Sequence, residues 1–162
     1  MSITKLNNRS LTAVTALPSG VGGKVLQIKA TANNSLSQAA TSSTSLVDVS
    51  GVDLLLTPSS ASSKIVLFTH FTFDSGSSNQ GIVGSLSYTH SGISQTSIDS
   101  QYDSIGVNSV SSRINSGFAT NYYLEPSTTN EITFRMRIKA DGAYTVYFNR
   151  KSLRIIAIEY SA

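Results

Sequence analysis

The sequence predicts an all-β domain: an antiparallel, two-sheet, jelly-roll-like β-sandwich of about 8–10 strands with an extended N-terminal arm. Three observations lead to this fold class. Apolar residues recur with a period of two over most of the chain, and helical periodicity is nearly absent. Ser, Gly, Pro and Asn separate the alternating segments, as turn residues do. The 162 residues make about one domain. An immunoglobulin-type sandwich is the alternative, but its strands are more evenly spaced than the alternating segments here.

The composition excludes several classes of protein. Charged residues make up 13% of the chain, against roughly 25% in an average domain, while 40% are hydrophobic. Ser and Thr, at 30 and 16 residues, supply most of the polarity. Disorder is therefore not expected, and the lack of cysteine excludes a disulfide framework. Since no apolar run has the roughly 20 residues of a membrane helix and residues 1–22 lack a signal-peptide core, we expect a soluble chain.

Residues 1–22 are predicted to form an attachment arm ahead of a β-domain at residues 23–162. The arm contains scattered apolar residues, a Pro-Ser-Gly turn signal and a Gly pair before the first strand. A frayed terminus is one interpretation. The other is that its apolar residues dock on a neighbouring chain; these are Ile3, Leu6, Leu11, Val14 and Leu17.

The β-domain divides into alternating segments. The predicted strands are 24–32, an interrupted strand at 45–49 and 52–57, then 64–74, 81–89, 93–98, 104–110, 117–124, 131–140, 143–149 and 152–160. A polar loop at 33–44 follows the first strand. Ser50-Gly51 is expected to be a bulge or bend that lets the strand pass from one sheet edge to another. Segment 64–74 is apolar on both faces, which predicts a central strand covered on both sides. Asp141-Gly142 predicts a tight hairpin.

The charges favour contact between protein subunits. Residues 1–47 carry a net charge of +4, residues 48–112 carry −4, and residues 113–162 carry +3. This division lacks the clustered Lys and Arg of a nucleic-acid groove. Arg135, Arg137 and Lys139 occupy alternate positions, so they form a basic face on one side of a strand. We predict that this face binds an acidic protein surface or the acidic middle of a neighbouring copy, the alternative being an ordinary solvated face.

The sequence holds little that predicts catalysis. Its two histidines have structural interpretations, since His70 lies within an apolar strand and His90 at a turn. Asp74 follows His70 by four residues, about 13 Å along a strand, which is too far for a catalytic pair. Neither a nucleophile-elbow motif nor a zinc-protease motif occurs. We therefore expect no enzyme activity, no metal and no cofactor. Several tyrosines could instead line a sugar-binding surface, although most should pack in the sheets: Tyr88, Tyr102, Tyr122, Tyr123, Tyr144 and Tyr147.

Three segments carry a resemblance to a known family: GKVLQIK at 23–29, SLVDVSGVDLLLTPSSASSKIVL at 45–67 and YTVYFNRKSLRIIAIEYSA at 144–162. They resemble small β-domain virion proteins of tailed bacteriophages, particularly marine ones. These signatures belong to strands and turns rather than to catalytic residues, and the resemblance extends from residue 23 to the end. It implies a jelly-roll-like domain, often trimeric, that serves as a capsid decoration protein, a head fibre or a tail-fibre tip.

The resemblance sets the functional expectation. We expect a structural virion protein, made in the host bacterial cytoplasm and attached through its arm to the capsid exterior or to a tail appendage. The expected partners are other copies of itself in a homotrimer and the major capsid protein or another virion structural protein, but neither nucleic acid nor membrane. This chain lacks the long repetitive shaft of many fibre relatives, which favours a compact decoration or head-fibre protein. The alternative is a tail-fibre or receptor-binding domain that binds host-surface glycan.

Overall fold

The computed structural model describes residues 24–31, 38–74, 81–98, 103–105 and 115–161. Within them lie eleven β-strands. Their bounds are β1 Val25–Ala30, β2 Gln38–Thr41, β3 Val47–Asp48, β4 Leu54–Leu56, β5 Lys64–Asp74, β6 Ile82–His90, β7 Ile93–Ser97, β8 Asp103–Ile105, β9 Asn115–Leu124, β10 Ile132–Ala140 and β11 Val146–Tyr160. The arm, and the 106–110 part of the predicted strand 104–110, lie outside the described residues.

The strands form two antiparallel sheets. Sheet A has the order β1-β11-β5-β9, with β2 pairing with the other end of β11. Sheet B has the order β3-β10-β6-β7, with β4 also on β10 and β8 also on β6. From β4 onward, five of the seven connections between the described strands cross from one sheet to the other. The result is a jelly-roll-like sandwich, as the sequence predicts.

The core lies between the two sheets. Strand β10 shows how the alternation produces it, since Ile132, Phe134, Met136 and Ile138 are buried and the residues between them are half-buried. On the core side of sheet A, Phe71 of β5 packs against Phe148 of the neighbouring strand β11, with ring centroids 5.2 Å apart. Two adjoining clusters of buried apolar side chains, each drawn from both sheets, fill the interior.

Core side chains pack tightly against the backbone at Gly84 of β6. A Cβ added there would lie 2.6 Å from Met136 Cε and 3.1 Å from Phe71 Cζ. We expect Gly84→Ala to lower the free energy of unfolding by about 1–3 kcal/mol, because a packed core accommodates an extra methyl only with strain. Gly117→Ala in β9 is the matched control, since its nearest neighbour, His70 Nε2, is 3.8 Å away. Urea unfolding measures both variants, and equal stabilities would contradict the prediction.

Several sequence predictions about connections are wrong. Ser50-Gly51 does form a turn, with Gly51 at φ 80°, but β3 and β4 on either side both pair with β10, so the chain stays at one edge of sheet B. Asp141-Gly142 is not a hairpin, because β10 and β11 belong to different sheets. The Tyr144 hydroxyl instead accepts a 2.6 Å hydrogen bond from the Gly81 N–H, which ties this crossing to the start of β6.

The tight hairpin of the fold lies elsewhere. His90 pairs with Ile93 across Ser91-Gly92, and Gly92 has φ 96°, a backbone conformation that favours glycine. The predicted strands 143–149 and 152–160 form one long strand, β11, with a bulge between Asn149 and Arg154. The predicted loop 33–44 contains the short strand β2.

Candidate interaction surface

The outer face of sheet A differs from what the sequence predicts. On β5, Ile65, Leu67 and Phe71 point inward and are fully buried, which confirms both the strand and its interior position. The residues between them point outward, and Phe68 there is 44% exposed. The predicted cover on both sides of β5 is therefore absent among the described residues. The physical reason is that the core of a two-sheet sandwich lies between the sheets, so it covers the inner face of each sheet and leaves the outer face uncovered.

The strand register assembles these outward side chains into rows. One row runs across all four strands as Ile28, Ile158, Val66 and Tyr123. The next row contains Ala30, Ile156, Phe68 and Asn121. Val25 and Tyr160 lie in the row beyond the first. We call this surface the apolar face; it consists of Val25, Ile28, Ala30, Val66, Phe68, Tyr123, Ile156, Ile158 and Tyr160.

The apolar face is well exposed. The exposed fractions of its large side chains are 62% for Ile28, 52% for Val25, 49% for Tyr123, 44% for Phe68 and 36% for Ile156. Strands lie about 4.8 Å apart and outward residues about 6.7 Å apart along a strand, so the four strands and three rows of this face cover roughly 400 Å². Exposed apolar patches of more than a few hundred Å² mark interaction sites on soluble proteins.

A hollow of about 290 Å³ lies at one end of the apolar face. Phe68, Ile156 and Ala119 supply its apolar lining, and His70, Asn121 and Arg154 supply polar groups. The next outward row explains these polar groups, since Arg154 pairs with His70 and His70 with Ala119. The hollow could receive an apolar side chain or a small ring with polar substituents.

The other end of the apolar face has a polar rim. Lys64 Nζ lies 3.5 Å from Glu125 Oε1 and 6.0 Å from the centre of the Tyr123 ring. The Tyr123 hydroxyl donates to Glu125 Oε1. That hydrogen bond, followed by the Lys64 ammonium, holds the pKa of Glu125 below its ordinary value. Both charge signs are therefore present at this rim, while the centre of the face is uncharged.

The predicted basic face lies on the outer side of sheet B, as its alternation indicates. The Arg135 Nε donates to Asp53 Oδ1 at 2.8 Å and its Nη1 to Asp48 Oδ2 at 2.8 Å. Arg137 donates to Asp48 Oδ1 at 3.1 Å and to the Leu46 carbonyl at 2.9 Å. The acidic middle of the same chain thus meets these arginines. Binding of a partner by Arg135, Arg137 and Lys139 stays a prediction.

These contacts shift the pKa of both partners. Burial of Asp48 opposes its ionisation, but hydrogen bonds from Arg135 and Gln95 outweigh this effect and hold its pKa below the ordinary value. The hydrogen bonds to Asp53 and then Asp48 raise the pKa of Arg135. The cluster is therefore a network of ionised groups, each compensated within the chain.

The signature segments of the sequence meet around Glu159. This carboxylate is fully buried; it accepts hydrogen bonds from Gln27 Nε2 at 2.5 Å and from the Ser59 N–H at 2.6 Å. The Ser59 hydroxyl adds a third at 3.2 Å. Gln27 belongs to GKVLQIK, Ser59 to the TPSS turn and Glu159 to the closing IAIEY. These segments therefore share a structural role, since one buried acid joins the first strand, a turn and the last strand.

The charged form of Glu159 is favoured in this cluster. Burial raises its pKa, but the hydrogen-bond donors outweigh that effect and hold the pKa below its ordinary value of 4.5. Ser63 contributes to this as well as Gln27 and Ser59, although its buried hydroxyl lies outside full hydrogen-bond geometry. We call Glu159 with Gln27 and Ser59 the Glu159 cluster.

The histidines and several tyrosines that the sequence singles out make contacts within the fold. His70 is exposed, with Nδ1 3.3 Å from the Ser152 carbonyl, and His90 stacks on Tyr88. Tyr122 is buried in the core, and Tyr88 and Tyr144 pack against the core clusters. The expectation that most tyrosines pack in the sheets is confirmed for these three. Tyr102 and the arm residues Ile3, Leu6, Leu11, Val14 and Leu17 lie outside the described residues.

The part of the chain that the structure describes shows neither a group of metal ligands nor a membrane-spanning helix. No group of three His, Asp or Glu side chains there could hold a metal ion. That part also contains no helix of the length and apolarity needed to cross a bilayer.

Comparisons with known proteins give likeness of fold alone. No family model and no curated protein matches the sequence. Among solved structures, "Structure of Eiger TNF from S. frugiperda" matches with a TM-score of 0.48 and 10% identity, over 84% of this chain and 93% of that one. "Structure of infectious bursal disease virus Gx strain" matches with a TM-score of 0.40 and 9% identity, over 83% of this chain and 37% of that one. At these values the fold assignment rests on the strand order itself.

Proposed function

We propose that this chain is a non-enzymatic structural virion protein of a tailed bacteriophage, displayed on the particle exterior as a capsid decoration or head-fibre-type protein. It acts by adhesion to other proteins and is attached through its N-terminal arm. The apolar face is the observation that carries the proposal, because an exposed surface of roughly 400 Å² with an uncharged centre suits adhesion. The resemblance at 23–29, 45–67 and 144–162 supplies the virion context.

The Glu159 cluster supports the use of this resemblance. Three signature segments that lie far apart in the sequence meet at one buried carboxylate. Removal of Glu159 would deprive the Gln27 amide and the Ser59 N–H of this acceptor, and removal of either donor would leave the buried carboxylate with fewer hydrogen bonds, which is costly. Their joint presence is therefore expected in proteins built on this same scaffold.

The arm provides the direct test of attachment. We expect that deletion of residues 2–22 abolishes incorporation into particles and leaves the β-domain folded, since the arm's five apolar residues supply the predicted contact. A second variant with Ile3, Leu6, Leu11, Val14 and Leu17 changed to Ser should reduce the copy number at least tenfold, because each buried side chain contributes about 1.5–3 kcal/mol. Quantitative immunoblots of purified particles measure the copy number.

A matched control separates apolar docking from charge. Lys5→Gln with Arg9→Gln alters the arm by two charges and keeps its apolar residues. This variant should be incorporated at close to the wild-type copy number at moderate salt. Unchanged incorporation of the deletion variant would refute attachment through the arm. Imaging of particles labelled with an antibody then distinguishes a capsid location from a tail location.

A receptor-binding domain that recognises host-surface glycan is the second candidate. The hollow beside Phe68 favours it, because an exposed aromatic ring can stack on a sugar while His70, Asn121 and Arg154 offer hydrogen-bond partners. Loops at 75–80 and 91–116 are the other predicted places for glycan contact; 75–80 lies outside the described residues, and of the second loop the structure describes 91–98, 103–105 and 115–116. Binding of purified protein to a glycan array would support this candidate, and loss of that binding in Phe68→Ala would locate the site.

A further inference from the structure

We infer that the apolar face is a self-association surface whose occupant is a second copy of this chain. The inference deepens the proposed function, adhesion to other proteins, by naming the partner, and it rests on that function. It starts from β5 and β11, the two interior strands of sheet A. Both carry apolar residues at successive positions, such as Val66, Leu67 and Phe68 on β5 and Ile155 and Ile156 on β11. Such runs are typical of strands that are covered on both faces.

The described part of the chain covers one of these faces. Leu67 and Ile155 are fully buried between the sheets, whereas Phe68 and Ile156 on the opposite side are 44% and 36% exposed. Ile28 and Tyr123, at the two ends of one row, are exposed by 62% and 49%. The exposure therefore continues across the whole width of the sheet rather than at one strand end. A cover for this face must reach all four strands.

The area of the apolar face suits a second copy. A stable interface buries about 800 Å² on each partner, and roughly 65% of a homodimer interface is apolar, which corresponds to about 520 Å² of apolar surface. The apolar face supplies roughly 400 Å², which is most of this amount. A single peptide strand or a small ligand would cover a fraction of it. Another sheet face of the same dimensions would cover it fully.

The charges also suit a second copy. Lys64 and Glu125 lie at one rim and Arg154 at the other, so the centre of the face carries no ionic group. A second copy brings an equally uncharged centre and rim charges of both signs, and these can pair across the interface. A nucleic acid or an anionic bilayer would instead place many negative charges over the uncharged rows. The hollow beside Phe68 can receive an apolar side chain of the facing copy.

The test is the oligomeric state of the full-length purified protein, measured by sedimentation equilibrium. We expect the wild type to self-associate and Phe68→Asp to weaken association about a hundredfold, because the new carboxylate would be buried in the interface without a partner. Leu55→Asp is the matched control. Leu55 is 49% exposed and points outward from sheet B, so this variant carries the same kind of change on the opposite face. It should associate like the wild type.

The outcomes separate this inference from the proposed function. Circular dichroism melts establish that both variants are folded. At about 100 μM even a weakly associating protein forms a detectable amount of complex. A wild type that is monomeric at this concentration would overturn the inference. So would equal association of Phe68→Asp and wild type, or equal weakening by both variants. A monomeric wild type that still joins particles would leave the proposed function standing, and glycan-array binding by that monomer would assign the face to the second candidate.

Discussion

Glu159→Ala should lower the melting temperature by about 6–12 °C. The substitution removes the buried carboxylate and its hydrogen bonds with the Gln27 amide and the Ser59 N–H; Gln27 keeps its bond to the Thr57 carbonyl, whereas the Ser59 N–H loses its acceptor. The loss of hydrogen bonds to a charged group, together with the unsatisfied donor, costs roughly 3 kcal/mol. For a domain of this length each kcal/mol corresponds to about 2–4 °C. Differential scanning calorimetry at pH 7 measures the shift.

The pH dependence identifies the charge as the cause. The pKa of Glu159 in the folded protein lies below its ordinary value of 4.5, so the carboxylate stabilises the fold above that value. This contribution is lost as the pH falls through the depressed folded pKa. The difference in melting temperature between wild type and Glu159→Gln should therefore be full at pH 6–7 and shrink below about pH 4.5. Gln keeps the size of the side chain without the charge, and a difference that does not depend on pH would contradict this account.

Arg135→Glu should destabilise the domain by about 2–3 kcal/mol. The substitution removes the hydrogen bonds from the guanidinium to Asp53 and Asp48 and places a third carboxylate beside them. These side chains are about one-third exposed, so the loss is smaller than for a fully buried ion pair. Urea unfolding measures the change, and high salt should reduce it because screening weakens the repulsion.

Lys139→Glu is the control for this prediction. Lys139 lies on the same strand and face, four residues from Arg135, which is about 13 Å along the strand. We expect a change of less than about 1 kcal/mol for this variant, as for a typical surface charge. Equal destabilisation by both variants would refute a specific role for Asp48 and Asp53.

The control also bears on the predicted partner-binding role of the basic face. Reversal of Arg135 and Arg137 should weaken attachment to particles if the face binds an acidic partner. The structure adds that this double variant also loses internal ion pairs. Attachment to particles at low salt should therefore be measured for two proteins, the double variant Arg135→Glu/Arg137→Glu and the single variant Lys139→Glu, after the stability of each is known. Attachment unchanged in all of them would refute a partner-binding role.

Much of the fold could be predicted because strands follow local patterns. Alternation placed Ile132, Phe134, Met136 and Ile138 on the core side of β10, and all four are buried there. The apolar run at 64–74 correctly predicted an interior strand. Prediction failed at Asp141-Gly142, because the dipeptide describes a local turn preference whereas strand pairing is decided by distant segments. The hydrogen bond between Gly81 and Tyr144 is one such distant contact.

The candidate site was harder to predict for the same reason. The basic residues of β10 were visible as a stripe, but their pairing with Asp48 and Asp53 depends on β3 and β4 lying beside β10. The apolar face had a signal in the sequence, namely the successive apolar residues of β5 and β11. That signal indicates two covered faces without showing which of them the chain itself covers.

The sequence by itself determined the fold class. Period-two alternation, frequent turn residues and the shortage of charge specify an all-β domain, because each strand must separate an inward from an outward side. The tertiary structure decided which outward sides remain exposed and which charges are already paired. Both depend on strand order and register, and these bring Ile28 beside Ile158 and Arg135 beside Asp53 from positions that are far apart in the chain.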